Sequence, residues 1–73
     1  MSKDELRSLL TAKAFRPFRL YLADGRSTEV PHSEFAAISP DGRTLIVFDA
    51  KTGGMREIID TLLIVSAEFE TPA

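Results

Sequence analysis

The apolar positions of this chain change their period once, at Pro17, and the change divides the sequence into a helix and a series of strands. Before Pro17, Leu6, Leu9, Leu10 and Ala14 recur in steps of three and four, which places one apolar stripe on a helix. Ser2 followed by Glu5 is the capping-box spacing, in which each side chain serves the other's backbone N–H. Met1 and Leu6 occupy the positions of a hydrophobic staple, and Asp4 and Glu5 lie in the first turn, where the helix dipole favours negative charge. Proline disfavours helical geometry in the residue before it, here Arg16. The pattern predicts a helix over about 3–13.

From Phe18 the period is two. Phe18, Leu20 and Leu22 share one face, with Arg19 and Tyr21 on the other. Asp24-Gly25 is a strong hairpin signal and predicts a two-residue type I′ turn. Pro31 cannot donate to a ladder, so it marks an edge or a break, and His32 to Phe35 reads as a loop or one helical turn. Pro40-Asp41-Gly42 supplies a second hairpin turn, and Gly53-Gly54 a third punctuation. The expected strands are about 18–22, 27–30, 36–39, 44–48, 55–59 and 63–69. Short strands with regular turn signals indicate antiparallel pairing. The predicted fold class is α+β, mainly β: a short N-terminal helix followed by a compact antiparallel five- to six-stranded sheet or small barrel, all in one domain over 1–73.

Two segments break the alternation. Leu45-Ile46-Val47-Phe48 and Leu62-Leu63-Ile64-Val65 are apolar at four consecutive positions, and a strand apolar on both faces calls for cover on both. One eleven-residue helix is only about 16 Å long, too short to cover both. Part of this surface is therefore expected to meet another copy of the chain, with Leu62, Leu63, Ile64, Val65, Ile46 and Phe48 as the contact residues.

Length and composition sharpen that expectation. A chain of 73 residues buries a modest fraction of its surface and leans on disulfides, metals, packing or association. With no cysteine and one histidine, disulfides, thiolate zinc sites and multi-histidine sites are excluded. An apolar fraction of 44% with 27% charged residues is that of a folded globular chain. No apolar run reaches the roughly 18 residues of a membrane span, and Asp4 and Glu5 stand where a secretory signal would be basic. The expected location is the cytoplasm, with no membrane association. The net charge of −2 is unevenly spread: +3 over residues 1–26 and −5 over residues 27–73. Such a dipole either aligns copies head to tail or reflects solvated faces.

Catalytic patterns are sparse. His32-Ser33-Glu34 holds the residue types of a nucleophilic site, but neighbours in a loop point in different directions. Gly53-Gly54 lies between strands, which is no phosphate cradle. Asp24, Asp41 and Asp49 each stand beside a turn signal, where aspartate stabilises backbone by itself. No cofactor, no metal and no enzymatic activity are expected. Arg16, Arg19 and Arg26, interleaved with Phe15, Phe18 and Tyr21, are the candidate nucleic-acid contacts, because arginines meet phosphates and aromatic rings stack on bases.

Phe15-Arg16-Pro17-Phe18, Asp24-Gly25-Arg26, Val30-Pro31-His32, Glu34-Phe35, Ser39-Pro40, Ile58-Ile59-Asp60 and Leu62-Leu63-Ile64-Val65 together resemble a family of short uncharacterised bacterial proteins. That resemblance spans nearly the whole chain and implies a stand-alone protein. A helix followed by a strand ending Leu20-Tyr21-Leu22-Ala23-Asp24-Gly25 is similar in architecture to Sm-like and SH3-like small β-barrels, including bacterial RNA chaperones. The second resemblance implies a small barrel that forms rings by edge-strand pairing and binds RNA. In this chain Ile59-Asp60-Thr61 places an aspartate where that fold's second motif carries basic residues, and Pro31 to Phe35 is an insertion. The leading expectation is a non-enzymatic interaction module that self-associates through apolar strand edges, with a second protein as a further partner; the alternative is an Sm-like RNA-binding protein.

Overall fold

Helix α1 (Lys3–Thr11) begins as its capping box dictates: the Ser2 hydroxyl accepts from the Glu5 N–H at 3.2 Å, and the Glu5 carboxylate accepts from the Ser2 N–H at 3.2 Å. The computed structural model describes residues 1–70. The helix stops at Thr11, two residues short of the expected end. Ala12 turns to extended geometry, and the Thr11 hydroxyl donates back to the Arg7 carbonyl at 2.7 Å. This back-bond competes with continuation of the backbone ladder. The released residues let Phe15 reach the Phe18 ring, 5.8 Å away between centroids.

Strands β1 (Phe18–Leu22) and β2 (Ser27–Val30) pair as a hairpin, and β6 (Ile64–Phe69) pairs antiparallel on the other side of β1. Strands β3 (Ala36–Ile38), β4 (Thr44–Phe48) and β5 (Met55–Asp60) form a second antiparallel sheet with β4 in the centre. The architecture is α+β and mostly β, as expected, with six strands in two three-stranded sheets that do not close into a barrel. On one side α1 packs on β3 and shares a groove with Ala67 of β6. On the other the gap between β5 and β2 is bridged by a side chain. Arg56 Nη2 donates to the Thr28 hydroxyl at 2.6 Å and to the Glu29 carbonyl at 3.3 Å.

The first hairpin departs from the expected type I′ turn. Only Gly25 has positive φ, +92°, while Leu22 and Gly25 close a β-turn and Leu22 N–H meets the Arg26 carbonyl at 2.8 Å. A type I turn followed by a left-handed glycine gives the three-residue hairpin loop. It leaves Asp24 free to accept from the Arg26 N–H at 3.0 Å. Gly42 is constrained twice, by φ of +74° and by the Lys3 side chain, which lies where a Cβ would stand.

Between the sheets, Phe18, Leu20, Leu22 and Val30 meet Leu45, Val47, Ile59, Ile64 and Leu6 of α1 in a single buried cluster. The period-two reading of β1 holds throughout, with Phe18, Leu20 and Leu22 buried. The reading of Leu62 to Val65 as a strand apolar on both faces does not. Thr61–Leu63 is a 3-10 turn whose start is capped by the Asp60 carboxylate accepting from Leu62 N–H at 2.9 Å. Buried Thr61 anchors it through its hydroxyl, which donates to the Gly42 carbonyl at 2.8 Å. Three-fold winding turns Leu62 and Leu63 outward and returns only Ile64 to the core.

Candidate self-association surface

The outer face of the β3-β4-β5 sheet is built by register. Ala37 stands beside Ile46, and Ile46 beside Ile58, so one apolar row crosses all three strands. Alternation forces this result. Leu45, Val47 and Ile59 fill the core, so their neighbours Ile46, Phe48 and Ile58 must face outward. A second row follows at the next outward position. Phe48 stands beside Met55 across a bulge after Val47, and Phe35 from the preceding 3-10 turn (Ser33–Phe35) lines the same shallow depression as Phe48, with Glu34 and Gly53. Beyond the first row the surface becomes polar, with Thr44 beside Asp60. A depression of about 440 Å³ there is lined by Asp41, Arg43, Thr44, Ile58 and Asp60.

Ile58 and Met55 each keep 66% of their surface exposed, and Ile46 and Phe48 are half-buried. Among the described residues no helix or further sheet is layered on this face. Ile46 and Phe48 were expected contact residues and lie here. Ile58, Met55, Ala37 and Phe35 were not anticipated. A signal existed for one of them: Ile58-Ile59 is an adjacent apolar pair within a strand, which places one residue on each face.

The other expected contacts divide. Leu62 is 74% exposed, Val65 63%, and Leu63 is partly exposed, so all three are available to solvent around the start of β6. Ile64 is not; it is 1% exposed and belongs to the core, a correction that follows from the 3-10 turn described above. The Ile64 carbonyl accepts from the Met1 ammonium at 2.7 Å.

The three candidate nucleic-acid contacts are spread across different ion pairs and stacks. Arg16 lies over the Phe69 ring, 4.1 Å from its centroid. Arg19 meets Glu29 at 3.3 Å and Glu70 at 3.4 Å, and Arg26 meets Asp24 at 2.7 Å and Glu57 at 3.7 Å. A guanidinium already facing two carboxylates has less net charge to offer a phosphate.

The aspartates weighed as metal ligands occupy three separate turns. Asp24 is held below the usual carboxylate range by the Arg26 N–H and then by the Arg26 side chain. The Ser39 hydroxyl and the Arg43 N–H do the same for Asp41, and the Lys51 and Thr52 N–H groups for Asp49. Each carboxylate completes its own turn, and no group of three metal-ligating side chains forms among the described residues. His32, Ser33 and Glu34 lie consecutively at one 3-10 turn, with the His32 ring 5.9 Å from that of Phe35. No described helix is long and apolar enough to cross a membrane. Comparison with protein families, with curated proteins and with solved structures finds no match to this chain.

Proposed function

We propose that this protein is a non-enzymatic interaction module that self-associates through the apolar surface of its strands. One observation carries the reading: on the outer face of the β3-β4-β5 sheet Ala37, Met55 and Ile58 are exposed and Ile46 and Phe48 half-buried, with no covering layer among the described residues. Sheets apolar on both faces are stable when packed on both, and the core supplies only the inner layer. Small size supports the same reading. A single core in so short a chain leaves little stability in reserve, and association adds to it.

Sedimentation equilibrium between about 1 μM and 1 mM, the range over which weak interfaces form, tests the proposal. The weight-average mass rises above the 8.1 kDa of one chain as concentration increases. A mass that stays at one chain throughout would refute it.

A further inference from the structure

The tripeptide Asp-Gly-Arg occurs twice, as Asp24-Gly25-Arg26 and Asp41-Gly42-Arg43, in turns of the same construction. In each, the glycine has positive φ and its N–H meets the carbonyl three residues back, Leu22 at 3.0 Å and Ser39 at 2.9 Å. In each, the aspartate accepts from the arginine N–H at 3.0 Å. Aspartate followed by glycine is the pair most open to succinimide formation, because no side chain on the glycine obstructs the attack of its nitrogen. We infer that Asp24 is a site of spontaneous isoaspartate formation, and that the fold protects Asp41 from the same reaction.

In the reaction the Gly25 nitrogen attacks the side-chain carboxyl carbon of Asp24. A C–N bond forms, the amide proton and the carboxyl hydroxyl leave as one water, and a cyclic imide closes. A solvent water then opens the ring. Breaking the nitrogen's bond to the side-chain carbon restores aspartate, whereas breaking its bond to the main-chain carbonyl carbon routes the backbone through the side chain. The product, isoaspartate, has one more methylene in the backbone and the original mass. Ring closure requires the aspartate backbone to rotate, so the turn must open first.

The contacts that opening breaks differ between the two turns. At the second turn the buried Thr61 hydroxyl donates to the Gly42 carbonyl at 2.8 Å, and the Ser39 hydroxyl donates to Asp41 at 2.6 Å. Lys3 fills the place that a Cβ on Gly42 would take. Gly42 is therefore buried, and Thr61 ties it to the 3-10 turn before β6. Gly25 is exposed, and nothing lies within 4 Å of the corresponding place. The further contact there is the Arg26 side chain, 2.7 Å from the Asp24 carboxylate, an exposed ion pair that holds weakly. Lengthening the backbone at Asp24 moves that carboxylate off Arg26 and leaves the guanidinium to Glu57, 3.7 Å away on β5.

Incubation of the full chain at neutral pH and physiological temperature, followed by tryptic mapping, tests the inference. Cleavage after Arg19, Arg26 and Arg43 puts each Asp-Gly pair in its own peptide, 20–26 and 27–43. Isoaspartate in each is quantified by chromatographic separation and by methylation with an isoaspartyl methyltransferase. In the folded chain it accumulates at Asp24 at least about fivefold faster than at Asp41, the factor that one extra hydrogen bond of ordinary strength contributes to an opening equilibrium. In concentrated urea the two rates converge, because the Asp-Gly-Arg sequence is shared and the turns are gone. Thr61→Val, checked for folding by circular dichroism, raises the rate at Asp41 by about fivefold and leaves that at Asp24 unchanged. Equal rates in the folded chain, or a preference for Asp24 that persists undiminished in urea, would overturn the inference, and neither comparison needs a variant that folds. A folded Thr61→Val chain with an unchanged rate at Asp41 would overturn the protection assigned to that turn.

Discussion

Ile58 and Ile59 are chemically identical neighbours on β5 with opposite positions, and replacing each by alanine separates the core from the outer face. Ile59 is 1% exposed and contacts the central cluster. Truncating it removes buried methylenes and leaves a cavity, a cost of about 2–5 kcal/mol. A chain of this length has a total stability of roughly 4–11 kcal/mol at ordinary per-residue values, so Ile59→Ala takes away a large part of it. Ile58 has only about a third of its surface covered in the single chain. Full burial of such a side chain is worth about 1.5–3 kcal/mol, so Ile58→Ala costs about 0.5–1 kcal/mol. Urea denaturation followed by circular dichroism at about 1 μM, below the weak-association range, measures both without a contribution from self-association. The expected gap is at least 1 kcal/mol in favour of Ile58→Ala, with the slope against urea unchanged. Equal costs, or the reverse order, would mean that β5 is out of register with β4 by one residue, and the apolar outer face would vanish with that register.

Three other outcomes follow from the same geometry. Gly42→Ala is expected to cost at least 1 kcal/mol more than Gly25→Ala in urea denaturation: both residues have positive φ, which penalises alanine by about 1–2 kcal/mol, but only Gly42 has Lys3 against it. Arg56→Ala strands the buried Thr28 hydroxyl and is expected to destabilise by about 1–2 kcal/mol, a loss that shrinks by at least half in a Thr28→Val background because the two share one hydrogen bond; an unchanged loss there refutes the bridge. Stability falls with acid: the folded-state pKa values of Glu5, Asp24, Asp41 and Asp49 are lowered, so the folded chain binds fewer protons than the unfolded one near pH 4. Their contribution is complete above the unfolded values of about 4 and is lost as pH falls through the folded ones, so denaturation midpoints measured from pH 6 to pH 2 drop, and drop less for Asp41→Asn.

The six segments later occupied by strands were readable wherever alternation or turn chemistry wrote them locally. Phe18, Leu20 and Leu22 needed only their spacing, and the capping box of α1 only Ser2 and Glu5. Where the reading failed, a local pattern had two physical solutions. Leu62-Leu63-Ile64-Val65 satisfies a buried strand equally well as a 3-10 turn that discards its first two leucines to solvent. The choice fell to Asp60 and Thr61, which tie the turn to backbone on either side. Asp24-Gly25 likewise serves two hairpin loops, and which one forms depends on how β1 and β2 must end. The candidate surface was half legible for the same reason: the run Leu45 to Phe48 announces two apolar faces, but the partners that complete the row come from β3 and β5.

By itself the sequence determined the start of α1 and the inward face of β1, because helix caps and period-two alternation act over a few positions and need no distant partner. It also determined that apolar strand positions outnumber what one short helix can cover. Tertiary structure decided which of those positions stay exposed. Register between strands assembled Ala37, Ile46 and Ile58 into one row, the 3-10 turn tied to Gly42 sent Ile64 into the core, and the fold set Glu70 beside Arg19 and Glu57 beside Arg26. Side-chain burial depends on long-range pairing, and a one-residue change in that pairing exchanges the two faces of a strand without altering a single local preference.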